Sequence, residues 1–166
     1  FLTGAPIISD IYFKISPSTQ GYFFAIPGIG FLLGNYLTGR FTIRFGTKKM
    51  MIWGCFIALI GPLMQFCTLS LFNLGALGLF GPMFFVGLGQ GLTLPNAAAG
   101  IVSVNPKLAG TASGLGSTIQ ISIGGLLAFL TGYFLSISNS PLQLVIIFFV
   151  CLVLSLIFTF FIRIDD

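Results

Sequence analysis

Apolar residues fall along this chain in long runs, not in the alternating or one-sided patterns of a water-soluble fold. A bilayer core of about 30 Å is crossed by about 20 mostly apolar residues in helix. Five runs meet that length, at about 19–38, 50–69, 74–94, 109–135 and 142–162. Residues 1–8 read as the outer end of a further helix already under way. The stretches between are polar. Residues 9–18 hold Asp10, Lys14 and a Ser16-Pro17-Ser18 suited to starting a helix. Residues 39–49 hold Arg40, Arg44, Lys48 and Lys49, and residues 96–108 hold Asn105, Pro106 and Lys107. The short link at 70–73 makes the second and third runs antiparallel neighbours, and 136–141 is a Ser/Asn/Pro turn. The pattern predicts an all-α, multi-pass membrane protein.

Charge adds a direction. Arg40, Arg44, Lys48, Lys49, Lys107 and Arg163 fall on one side of this threading, and Lys14 alone falls on the other. Cytoplasmic connections carry the excess of Lys and Arg, so the C-terminus is expected in the cytoplasm. Composition agrees: 6% of residues are charged where a soluble domain has about 25%, and the mean hydropathy is +1.08. The net charge of +4 is scattered over connections and forms no basic groove, which excludes a nucleic-acid partner. The chain has no histidine, and no complete run contains Asp or Glu. An acid, base or nucleophile for catalysis is therefore lacking, and no metal site is expected. Cys55, Cys67 and Cys151 each sit in an apolar run without a CxxC, and read as buried, reduced space-fillers. The opening FLTGAPIISD lacks the pattern of a signal peptide, and the chain reads as a piece of a longer one.

Glycine separates the runs. Small residues let helices approach closely in lipid. Gly30 and Gly34, Gly87 and Gly91, and Gly110 and Gly114 each form a GxxxG, while the last run has no glycine. The first, third and fourth runs are therefore expected to face the protein interior, and the fifth mostly lipid. Pro27, Pro62 and Pro82 fall within runs, with Pro27 and Pro82 as candidate bends or hinges.

The connection Gly39-Arg40-Phe41-Thr42-Ile43-Arg44-Phe45-Gly46-Thr47-Lys48-Lys49 resembles the G-x-x-x-D-R-x-G-R-R loop motif of the major facilitator superfamily. Gly39, Arg44, Gly46 and Lys48 match it. Ile43 stands where the motif has its Asp and Thr47 replaces a basic residue, so the charge relay of that Asp is not carried over. Gly87-Leu88-Gly89-Gln90-Gly91, Leu94-Pro95-Asn96-Ala97, Ala109-Gly110-Thr111-Ala112-Ser113-Gly114 and Gln120 resemble later spans of the Bcr/CflA-type drug-resistance subfamily, as do Gly4-Ala5-Pro6 and Ile15-Ser16-Pro17. The resemblance runs from the end of the seventh family helix to the end of the twelfth. It implies that residues 1–166 are the C-terminal six-helix bundle of a major-facilitator fold. Such a bundle pairs with an N-terminal six-helix half around a cavity that opens alternately to each side. It further implies a secondary transporter of the bacterial inner membrane that exports drugs or small amphipathic metabolites by proton antiport, with no cofactor. An uptake symporter or metabolite carrier of the same fold, and a non-transporting membrane subunit, are the alternatives.

Polar groups inside a span face a cavity or a partner helix. Gln90 and Gln120 are the leading candidates for the substrate cavity, with Tyr22, Phe23 and Asn96 beside them. Asn35 and Gln65 read as interhelical hydrogen bonders. With no carboxylate in a complete span, the proton-coupling group is expected in the N-terminal half.

Overall fold

Gly46 is the single residue between the two longest early helices of this protein. It holds φ 84°, a conformation that costs glycine little and other residues much. The computed structural model describes residues 1–71, 75–103, 106–137 and 140–161. Its helices are α1 (Gly4–Ile11), α2 (Pro17–Phe45), α3 (Thr47–Ser70), α4 (Gly75–Phe80), α5 (Met83–Ser103), α6 (Ala109–Ile137) and α7 (Pro141–Phe161), with a 3-10 turn at Pro106–Leu108. Among the described residues there is no strand. Leu74, Asn105, Ile162, Arg163 and the turn residues Ser138 and Asn139, on which parts of the sequence reading rest, lie outside the described residues.

Four stretches are long and apolar enough to cross a membrane: α3, α4 and α5 taken together (Gly75–Ser103), α6 and α7. α2 has the length, at 29 residues, but its run is diluted by glycines, Gln20, Asn35, Thr38 and a basic end. The helices also run further than the apolar spans. Residues 39–45 were expected as a connection, yet nothing from Gly39 to Phe45 breaks a helix, and α2 continues to Gly46. Gly39 and Arg44 thus lie in the last turns of α2, and Lys48 in the first turn of α3. Likewise residues 96–103 extend α5. The Ser-Pro-Ser start of α2 forms as expected: Ser16 Oγ accepts from the Thr19 N–H at 3.3 Å, with Pro17 in the first turn.

The centre of the bundle is α5, whose glycines point two ways. Gly87 and Gly91 lie against α2: a Cβ at Gly87 would strike the Pro27 carbonyl, and one at Gly91 the backbone of Phe31 and Asn35. Gly30 and Gly34 of α2 reciprocate, facing Phe84, Leu88 and Gly91. Gly89, on another face of α5, meets Gly54 and Ala58 of α3. In lipid, where apolar burial gives helices no reason to associate, such close backbone packing supplies the van der Waals attraction. α2 and α5 run parallel, and Thr42 Oγ1 closes their contact by donating to Asn96 Oδ1 at 3.1 Å.

Prolines leave carbonyls without helical donors, and α3 and α2 fill these gaps. Pro82 separates α4 from α5 and cannot donate to Gly78. Thr68 Oγ1 of α3 lies 2.8 Å from that carbonyl oxygen, sharing its proton with the Met64 carbonyl at 2.8 Å. One residue on, Gln65 Nε2 donates to the Leu79 carbonyl at 2.6 Å. Pro82 therefore marks a true helix break rather than a bend in a continuous rod. Pro27 and Pro62 sit within continuous helices.

Away from the basic loop, Ala5, Ile8, Leu79, Phe80, Leu135 and Leu144 form one buried cluster that ties α1, α4, α6 and α7 together. The rest of α6 departs from expectation. Nothing in the structure packs within 4 Å of a Cβ placed at Gly110, Gly114, Gly124, Gly125 or Gly132, and only Thr131 and Leu135 of this helix are buried. Gly110, Gly114, Gly125 and Gly132 thus carry no close helix contact in this chain, while Gly124 and Ala128 border a cleft. Two smaller expectations also fail. Asn35 Nδ2 bonds within its own helix, to the Phe31 carbonyl at 2.9 Å. Cys67 is exposed, while Cys55 is buried 3.6 Å from the Thr159 hydroxyl of α7.

Candidate functional site

A cleft of about 530 Å³ opens between α1, α2, α5, α6 and α7. Its wall on α7 is Leu144, Ile147, Phe148 and Cys151, spaced to share one helical face, and α6 adds Gly124, Leu127, Ala128 and Thr131. Pro27 and Phe24 of α2, Met83 and Gln90 of α5, and Phe1 to Thr3 at the head of α1 complete it. Aromatic rings close one part. Phe1 stands 5.9 Å from Phe80 and 5.8 Å from Phe148, and Phe24 is 5.5 Å from Phe80. Phe80 itself is fully buried, so these rings form a fixed floor.

Three side chains with hydroxyl or amide groups line a mostly apolar cleft: Thr3 at the head of α1, Thr131 of α6 and Gln90 of α5. Thr131 spends its proton on the Leu127 carbonyl at 2.7 Å. The Gln90 amide makes no hydrogen bond among the described residues. Its backbone neighbours Gly89 and Gly91 are committed to α3 and α2, which leaves the side chain between them aimed at the cleft. The site can therefore hold an amphipathic molecule by apolar contact, with one amide to orient it.

The other candidates lie elsewhere. Gln120 is exposed one turn beyond Gly124 on the same face of α6, outside the cleft lining. Tyr22 is 81% exposed and is not part of the cleft lining. Phe23 stacks on Phe80 at 5.2 Å and belongs to the packed aromatic floor. Asn96 is buried, accepting from Thr42 and donating to the Leu92 carbonyl at 2.7 Å, so it clamps helices and lies outside the cleft lining. The α7 wall was not foreseen. In the most apolar run of the chain, one apolar face cannot be told from another by sequence, and only Cys151 stood out.

The family model described as Major Facilitator Superfamily matches residues 2–166. The chain is 26% identical over 132 residues to a bicyclomycin resistance protein homolog of Haemophilus influenzae, a match covering 76% of this chain and 32% of the relative. The chain thus spans about a third of the length of that relative. No solved structure matches it.

Proposed function

Because the chain belongs to the Major Facilitator Superfamily, we propose that it is the C-terminal half of a transporter that exports drugs or small amphipathic compounds in exchange for protons. The observation that carries this reading is the apolar cleft with the uncommitted Gln90 amide on its wall. Apolar walls accept varied substrates, and a single orienting amide tolerates varied polar groups. Under this reading the residues preceding Phe1 in the complete protein prolong α1 along the cleft. The N-terminal half supplies the remaining wall and docks on the open glycine face of α6. It also supplies the group that gains and loses the proton, since none of the chain's three acidic residues lies inside a complete span and Gln90 does not titrate.

The resistance named for the relative makes bicyclomycin the first compound to test. Cells lacking their own exporter of this type and expressing the complete protein should grow in bicyclomycin, and Gln90→Ala should lower that tolerance severalfold at equal protein level. Gln120→Ala should have the smaller effect. Unchanged tolerance and export rate in Gln90→Ala would refute the assignment of the cleft. Drug entry driven by the proton gradient, in place of exit, would refute the direction.

A further inference from the structure

A second apolar hollow, of about 520 Å³, lies between the basic ends of α2 and α3 and shares no lining residue with the cleft. Leu37, Phe41 and Phe45 line it from α2, and Met50, Trp53 and Phe56 from α3, with Leu92 of α5 as its floor. Its surface is almost wholly apolar, and Trp53 and Phe56 are about half exposed at its edge. Such a hollow accepts hydrocarbon and offers nothing to orient a polar solute.

Its mouth is the opposite. Arg44 follows Leu37 and Phe41 at helical spacings of seven and three, which puts it on the groove face of α2. Lys49 precedes Trp53 by four and lies on the groove face of α3. The Arg44 guanidinium sits 5.5 Å over the Phe45 ring, and that ring is 5.1 Å from Trp53. Cation, aromatic rim and apolar groove are therefore stacked in order along one seam. No carboxylate balances the cations among the described residues: Asp10, the one that is described, lies at the far end of α1. Ile43, 95% exposed, occupies the place where the loop motif would put an acid.

We propose that this seam binds an anionic phospholipid, with an acyl chain in the groove between α2 and α3 and its phosphate at Arg44 and Lys49. Charge complementarity selects this occupant. A zwitterionic lipid brings a cation to a mouth already rich in cations, while an anionic headgroup neutralises it. Basic pockets at the membrane surface attract anionic headgroups in this way, and tryptophan at the headgroup level anchors the boundary.

The test reads Trp53 directly. The complete protein is placed in phosphatidylcholine vesicles with rising fractions of phosphatidylglycerol brominated on its acyl chains. The emission of Trp53 is taken as the difference between wild type and Trp53→Phe. Brominated phosphatidylglycerol should reach half its quenching at a mole fraction at least about fivefold lower than brominated phosphatidylcholine, and Arg44→Gln with Lys49→Gln should bring the two curves together. Both positions are on the surface, so the double variant keeps its fold. Equal quenching by the two lipids in wild type, or a preference that survives the double substitution, would overturn the proposal. So would protection of Trp53 from both lipids, the outcome expected of a protein covering the groove.

Discussion

Thr38 donates its hydroxyl proton to the carbonyl oxygen of Gly91 at 2.9 Å, and Gly91 is the residue four before Pro95. In an unbroken helix the Gly91 carbonyl would accept from residue 95, but proline has no N–H to give. The hydroxyl of α2 therefore replaces the missing helical donor of α5, at the place where Gly34 and Gly91 bring the two backbones together. Membrane helices tolerate prolines when a neighbour supplies such a partner.

The prediction is conditional, which makes it specific. Thr38→Val should destabilise the complete protein by about 1–3 kcal/mol, the cost of leaving a buried carbonyl unpaired. In a Pro95→Ala background, where the helix can supply its own donor, the same substitution should cost clearly less. Denaturant unfolding in micelles measures both, and an equal cost in the two backgrounds would show that Thr38 matters only for its shape.

The glycines of the α2–α5 seam should be far less tolerant than those outside it. Gly34→Leu drives a side chain into the Leu88 carbonyl and the Gly91 backbone, and should cost at least about 1–3 kcal/mol, enough to lower the amount of folded protein. Gly28→Ala meets nothing within 4 Å and should leave it unchanged. Fluorescence-detected size exclusion of the two variants distinguishes these outcomes.

The open face of α6 should behave differently from both. Gly110→Leu and Gly114→Leu start from positions where an added Cβ meets nothing within 4 Å in this chain, so they should leave its helical content and solubility in detergent intact. They should nevertheless block its co-purification with a separately expressed N-terminal half. Loss of folding in the isolated chain would contradict the packing described for α6.

The orientation expected from the basic residues is open to labelling. Lys49→Cys, at the start of α3, should react with an impermeant maleimide only after the membrane is opened. Tyr12→Cys, exposed just beyond α1, should react in intact cells. The background for both is the protein without native cysteines. Labelling of both from the same side would refute the threading.

Much of this architecture was legible in the sequence because bilayer thickness fixes the length of an apolar run. Gln90, a glutamine framed by glycines in the sequence, lines the cleft because those glycines pack against α2 and α3. The helix ends were not legible: Arg40 to Phe45 are compatible with both helix and loop, and Gly46 decides only by its backbone angle. Asn96 misled because a polar residue near a cavity and one that clamps two helices look alike until Thr42 is seen opposite it. The glycines of α6 misled for a related reason. A GxxxG shows that a helix can be approached closely, but not which helix approaches it.

The most direct test of the account is drug uptake into inverted vesicles carrying the complete protein. With a proton gradient imposed, wild type should accumulate the drug, a protonophore should abolish accumulation, and Gln90→Leu should slow it at least about tenfold without loss of protein. Accumulation indifferent to both the protonophore and Gln90→Leu would contradict the proposal that this bundle forms half of a proton-driven exporter with its substrate site at the α5–α6–α7 cleft.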